Sequence, residues 1–129
     1  MKYLITDDSL MGRKILSNNL KNSKFFKEEE DDIFFANNGL EGLNSYKENK
    51  PDICFMDLTM PVMDGYEAVE HILKFDNKAK IVVVTADAQQ MSKNKVQNLG
   101  ALAFIIKPVE PIRLCAVLEH IIKNQSDFK

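Results

Sequence analysis

Five side chains at four places along the chain could do chemistry together. An acidic pair, Asp7-Asp8, follows a short apolar run at residues 2–6. Asp57 follows Ile53-Cys54-Phe55-Met56 and precedes a turn-like run with Pro61 and Gly65. Thr85 ends the run that begins at Lys80, and Lys107 follows the apolar stretch 102–106. Gathered at one place, they would form a set of three carboxylates, one hydroxyl and one ammonium. Close carboxylates raise one another's pKa unless something neutralises them. Oxygen ligands without imidazole or thiolate suit a hard divalent cation, and Mg²⁺, held by one or two carboxylates and several waters, is the natural choice. Such an ion leaves room for a phosphoryl oxygen. Lys107 and Thr85 would then offer a point charge and a hydroxyl donor to the other phosphoryl oxygens. Asp57 reads as a carboxylate nucleophile that attacks phosphorus and becomes an aspartyl phosphate. Ala86, being small, leaves space beside it.

The surrounding pattern shows how these groups could meet. Strand-like runs at 2–6, 33–36, 52–57, 80–85 and 102–106 alternate with helix-like segments at 9–22, 39–48, 65–75, 87–99 and 111–123. Met11, Ile15, Leu16 and Leu20 fall at helical spacing, and Leu40 and Leu43 share a helix face. Val69, Ile72 and Leu73 mark the third helix. Leu114, Val117, Leu118, Ile121 and Ile122 make an i, i+3, i+4, i+7, i+8 stripe. The strand runs are continuous rather than alternating, which predicts burial on both faces. Helical crossovers make the strands parallel and the connections right-handed. The expected α/β fold is a five-stranded parallel sheet, a doubly wound (βα)5 three-layer sandwich. Sites in such sheets lie beyond the carboxyl ends of the strands. The five side chains sit at those ends.

Composition bounds the rest. The chain has 129 residues, 45% of them apolar, the size and content of one domain over residues 1–129. With 17 Lys plus Arg against 19 Asp plus Glu, the net charge of -2 argues for neither a nucleic-acid nor a membrane partner. The N-terminal run is too short and acidic for a secretory signal. Cys54 and Cys115 lie in apolar segments and read as small buried side chains, and a reducing cytoplasm is the default.

Each residue also has a plainer reading. Asp57 could cap a turn. Asp7-Asp8 could cap the first helix and complement its dipole. Thr85 could be a β-branched strand residue and Lys107 a surface lysine. Pro61 and Gly65 shape a loop, Asp64 caps the next helix, and Met60 and Met63 pack. His71 and His120 fall on solvated helix faces, and the acidic run Glu28–Asp32 reads as a solvated loop.

In combination the motifs resemble a known family. Asp7-Asp8, Asp57-Leu-Thr-Met60-Pro61-Val-Met63-Asp64-Gly65, Thr85-Ala86 and Lys107-Pro108 are similar, in order and spacing, to the receiver domain of two-component response regulators. The resemblance runs from residue 2 to about 123 and implies the flavodoxin-like, CheY-like fold. It implies that Asp57 accepts phosphate from a histidine kinase. Mg²⁺ would be ligated by Asp8, Asp57 and the Thr59 backbone carbonyl, with Asp7 acting largely through water. Thr85 would shift toward the phosphoryl group and Lys107 would pair with it. The Lys107–Pro108 bond is expected to be cis. Phe104 matches an aromatic switch position, though an ordinary apolar-strand reading carries comparable weight. Thr59 and Asp87 stand where the family tunes phosphate lifetime.

The resemblance further implies a cytoplasmic, monomeric signalling domain rather than an enzyme. A stand-alone chemotaxis-type regulator would bind a downstream protein target through its fourth helix, fifth strand and fifth helix, around Gln90, Lys95, Phe104 and Lys123. Two alternatives remain. One is a phosphorelay intermediate that passes phosphate to a histidine phosphotransfer protein. The other is a haloacid dehalogenase-like phosphatase, which would place Asp-x-Asp after its first strand; here the acidic pair is contiguous and the nucleophile follows the third.

Overall fold

A computed structural model describes residues 1–87 and 93–127. Five strands and five helices alternate. They are β1 (Lys2–Thr6), α1 (Leu10–Lys21), β2 (Asp32–Ala36), α2 (Gly39–Asn49), β3 (Ile53–Asp57), α3 (Gly65–Phe75), β4 (Ile81–Thr85), α4 (Lys93–Leu99), β5 (Ala103–Ile106) and α5 (Pro111–Asp127). All neighbouring strands pair in parallel, in the order β2-β1-β3-β4-β5. The order reverses between β1 and β3, so the crevice beyond their carboxyl ends opens between Asp7-Asp8 and Asp57.

Alternate side chains of each inner strand feed opposite cores, as the two-residue repeat of a strand requires. Tyr3, Ile5, Ile53, Phe55, Val82 and Val84 meet α1 and α5 through Leu16, Leu20, Leu114, Val117, Leu118 and Ile121. Leu4, Cys54, Met56, Ile81 and Val83 meet α2 and α3 through Leu43, Tyr46, Val69 and Ile72. Every residue of β3 and β4 is buried. The edge strands depart from the expected two-sided burial. In β2, Phe35 is half exposed, and only one residue of β5 is fully buried, because each strand has a neighbour on one side alone.

The helices start where side chains satisfy the first free amides. Ser9 accepts from Gly12 N at 3.1 Å, Asn38 from Glu41 N at 2.9 Å and Asp64 from Glu67 N at 2.9 Å. Asp64 is thus the cap expected of it. Asp7 and Asp8 are not caps; Ser9 is. Two apolar stripes differ from those expected. Met11 and Ile15 of α1 and Leu40 of α2 are largely exposed, while Leu16, Leu20 and Leu43 form the buried face. The fifth helix runs to Asp127, beyond the apolar stripe that marked it. The fourth is seen from Lys93; residues 88–92 of the expected segment 87–99, Gln90 among them, lie outside the described residues.

The acidic run is not wholly solvated either. Asp31 accepts from the Met1 ammonium at 2.6 Å and from Lys27 N at 2.9 Å, and its side chain is buried. Phe25 and Phe26, just before it, pack against the α1/α5 core, with Phe26 6.1 Å from Tyr3 ring to ring.

Candidate functional site

Parallel pairing brings the five side chains to one edge. β1 is followed by Asp7 and Asp8, β3 ends on Asp57, β4 ends on Thr85, and Lys107 follows β5. Lys107 Nζ donates to Asp7 Oδ2 at 2.8 Å and to Asp57 Oδ2 at 3.0 Å. Asp57 Oδ1 accepts from Thr59 N at 3.3 Å, and Asp7 Oδ1 from Ser9 N at 2.9 Å. Asp7, Asp57 and Thr85 are buried; Asp8 and Thr59 are exposed at the mouth. The Lys107–Pro108 bond is cis, as expected. Thr85 Oγ1 accepts from Asp87 N at 3.1 Å, and Thr85 O from Lys107 N at 2.7 Å.

The electrostatics follow from burial and a surplus of carboxylates. Burial pushes the Asp57 carboxyl above its usual pKa; the Lys107 hydrogen bond and charge pull it down, and Asp7 pushes it up. Burial opposes the Lys107 charge, yet the hydrogen bonds to Asp7 and Asp57 outweigh it and hold its pKa high. One oxygen from each of Asp7, Asp8 and Asp57 lies within 4.8 Å of the others. Oxygens on one octahedral Mg²⁺ at about 2.1 Å stand roughly 3–4 Å apart, so the trio is close to that spacing. An all-oxygen, hard donor set with one exposed member fits a magnesium ion that keeps part of its water.

Backbone geometry clears this space. A Cβ at Gly12 would collide with Asp7 Oδ2, and one at Gly65 with the backbone oxygen of Asp57. Gly65 therefore lets the loop fold back, its amide bonding Leu58 O at 3.0 Å. Val62, in the same loop, has φ 70, a region that β-branched residues avoid. Met60 is buried and Met63 partly so; both pack.

Three contacts had no signal in the sequence. Arg13 Nη1 donates to Asp7 O at 2.7 Å, tying α1 to the acidic loop. Asn19 Nδ2 donates to Val109 O at 3.0 Å, tying α1 to the segment after Lys107. Arg113 Nη2 donates to Phe104 O at 2.8 Å, with its guanidinium carbon 5.6 Å from the Phe104 ring centre. Phe104 itself is half-buried against the α2/α3 core. Lys95 is exposed, and Lys123 pairs with Glu119 at 2.8 Å on the surface. His71 and His120 are exposed, as expected. Cys54 is fully buried and its thiol pKa is pushed up to about 12 by burial, whereas Cys115 is only half-buried.

A parallel sheet with a carboxylate at the end of its central strand, beside two more carboxylates and a lysine, defines a receiver-type acidic site. The chain belongs to the response regulator receiver domain family, whose pattern matches residues 3–119. Within it the chain is CheY-like. It is 39% identical over 123 residues to the chemotaxis protein CheY of Listeria monocytogenes, covering 95% of this chain and 99% of that one. It is 38% identical to CheY of Thermotoga maritima, covering 95% and 98%. Among solved structures, CheY in the Borrelia burgdorferi CheX-CheY-BeF3-Mg²⁺ complex superposes with a TM-score of 0.79 at 27% identity, covering 95% of this chain and 89% of that one. A CheY-like receiver from Methanospirillum hungatei gives 0.81 at 25%, covering 99% and 98%. Receivers are signalling domains rather than enzymes of turnover. No described helix is long and apolar enough to cross a membrane.

Proposed function

We propose that Asp57 of this receiver accepts a phosphoryl group from the phosphohistidine of a histidine kinase. The observation that carries the reading is the charge imbalance of the site: three carboxylates cluster, and one ammonium, shared by Asp7 and Asp57, stands against them. Such a cluster is poorly arranged for stability alone, because the surplus charge is partly desolvated. It is well arranged to hold a divalent cation and, with it, a phosphoryl group.

A bound Mg²⁺ supplies positive charge to the oxygens of the transferred group. Asp8, Asp57 and the Thr59 carbonyl would hold it, with Asp7 acting through water. An Asp57 carboxylate oxygen attacks phosphorus; the P–N bond to the donor imidazole breaks, and its electron pair stays on the nitrogen. The product is a mixed anhydride of Asp57. The Lys107 ammonium leaves one carboxylate to pair with the incoming phosphoryl oxygen. Thr85, at the end of a fully buried strand, would offer its hydroxyl to another phosphoryl oxygen. Its shift would be followed by inward rotation of Phe104, changing the face built by α4, β5 and α5. Lys95 of α4 and Lys123 of α5 are exposed, and a cytoplasmic protein target of the chemotaxis type would read that face. The CheY relatives and the complexed CheY neighbour support that output.

The test is incubation with acetyl phosphate and Mg²⁺, followed by intact mass with and without EDTA. One added phosphoryl group that EDTA prevents is expected. Sustained hydrolysis of a generic phosphate ester would instead make the chain a phosphatase. Rapid passage of the label to a histidine phosphotransfer protein would make it a relay intermediate.

A further inference from the structure

Arg113 is used by nothing so far, yet it makes two different contacts with a single residue on another element. It reaches from the first turn of α5 to β5, donating to the Phe104 carbonyl while its guanidinium lies by the Phe104 ring. We propose that Arg113 is a positioning residue that latches Phe104 in its half-buried stance, and so sets how readily a phosphoryl signal at Asp57 reaches the α4-β5-α5 face. This rests on the phosphoacceptor reading above.

Three observations support a latch rather than a surface contact. First, phenylalanine has no hydroxyl. Apart from packing, the ring's stance depends on the charge beside it, and a guanidinium near an aromatic ring is a directional attraction. Second, Phe104 lies on the strand that connects to the site. Val83 pairs with Phe104, Thr85 with Ile106, and Lys107 comes next. A shift at Thr85 is therefore two residues along the ladder from the ring. Third, the contact is not packed shut from outside. A cavity of about 390 Å³ borders Phe104 and Arg113 and is also lined by Ala101, Leu102, Val117 and His120. The inward rotation proposed above would take the ring away from the guanidinium, so the contact would favour the resting stance and be lost in the other. A contact made in one state only shifts the equilibrium by its own strength. For an exposed cation–ring pair that is roughly two- to fivefold in population.

Beryllofluoride with Mg²⁺, a phosphoryl mimic, gives the test by titration calorimetry. Arg113→Ala should tighten beryllofluoride binding about threefold, with Arg113→Gln behaving alike and Arg113→Lys, which keeps a cation, lying between. In a Phe104→Leu background the Arg113→Ala change should have no effect. No tightening, or the same tightening without the ring, overturns the latch. If the wild-type protein fails to bind beryllofluoride, the phosphoacceptor reading fails instead. The latch is then judged on the resting protein, by the ¹⁹F solvent-isotope shift of 4-fluorophenylalanine at position 104. Greater ring burial in Arg113→Ala supports it, and an unchanged shift overturns it.

Discussion

Two buried carboxylates, at opposite ends of β1 and its neighbours, are treated in opposite ways. Asp31 lies near the amino ends of the strands. It has one ammonium and one amide within hydrogen-bond reach. Burial opposes its charge, but the Met1 and Lys27 hydrogen bonds more than offset that and hold its pKa below the usual carboxylate range. Asp57 lies at the carboxyl ends. It shares its one ammonium with Asp7, and burial leads to a raised pKa. A matched carboxylate is structure. A carboxylate left in surplus, in a crevice, marks a place where something else must bring positive charge.

The comparison breaks most visibly at Lys107. Replacing it with methionine leaves Asp7 and Asp57 buried with no cation. The loss should be about 3 kcal/mol in EDTA, the usual result of removing one partner of a buried pair. Mg²⁺ should restore a large part of it. Urea denaturation with and without Mg²⁺ measures both, and a loss unaffected by Mg²⁺ would show that the lysine acts through packing alone.

Asp31→Asn should cost about 2 kcal/mol at pH 7, since it weakens a charge-assisted hydrogen bond. The pH dependence carries the sign. The folded pKa of Asp31 is depressed, so its contribution is full above the unfolded value near 4 and fades as pH falls through the folded pKa. Wild type and variant should converge in acid. Divergence on acidification would mean that the clip does not exist in solution.

Mg²⁺ at ten times its dissociation constant should stabilise the wild-type protein by about 1.4 kcal/mol. Asp8→Asn should remove most of that shift, while Asp31→Asn should leave it intact. Equal shifts in wild type and Asp8→Asn would remove Asp8 from the metal site. Asp57→Asn in EDTA is the smallest expected change, a gain of about 1 kcal/mol at pH 7. Here the folded pKa is raised, so wild-type stability is favoured below the unfolded value and is lost as pH rises through the folded one. The gain should thus shrink on acidification, because both proteins then carry a neutral group. A gain that persisted in acid would point to relief of packing rather than charge.

Much of this was legible in the residues because it is local or periodic. The β-branched run Ile81–Val84, the α5 stripe and the Asp64 cap follow from neighbours a few positions apart. The strand-end placement of Asp7, Asp8, Asp57, Thr85 and Lys107 follows from strict strand–helix alternation. What stayed hidden joins distant residues through side chains. The Met1–Asp31 clip spans 30 positions and turns one member of an acidic run inward. Arg113 and Phe104 sit on different elements, and no spacing rule pairs an arginine with a carbonyl across a turn. Exposure at the sheet edges was hidden too, since Phe35 and Phe104 read as apolar strand residues whether one neighbour covers them or two. Met11, Ile15 and Leu40 lie at helical spacing, yet their helices turn another stripe inward.

The central claim is that Asp57 is the group the surplus charge exists to serve. The most direct measurement is peptide mapping after acetyl phosphate and Mg²⁺, in the wild-type protein and in Asp57→Asn. A single phosphoryl group on the peptide containing Asp57, absent from Asp57→Asn and from EDTA controls, is the predicted result. Label of equal extent in Asp57→Asn, or on a peptide without Asp57, would contradict it.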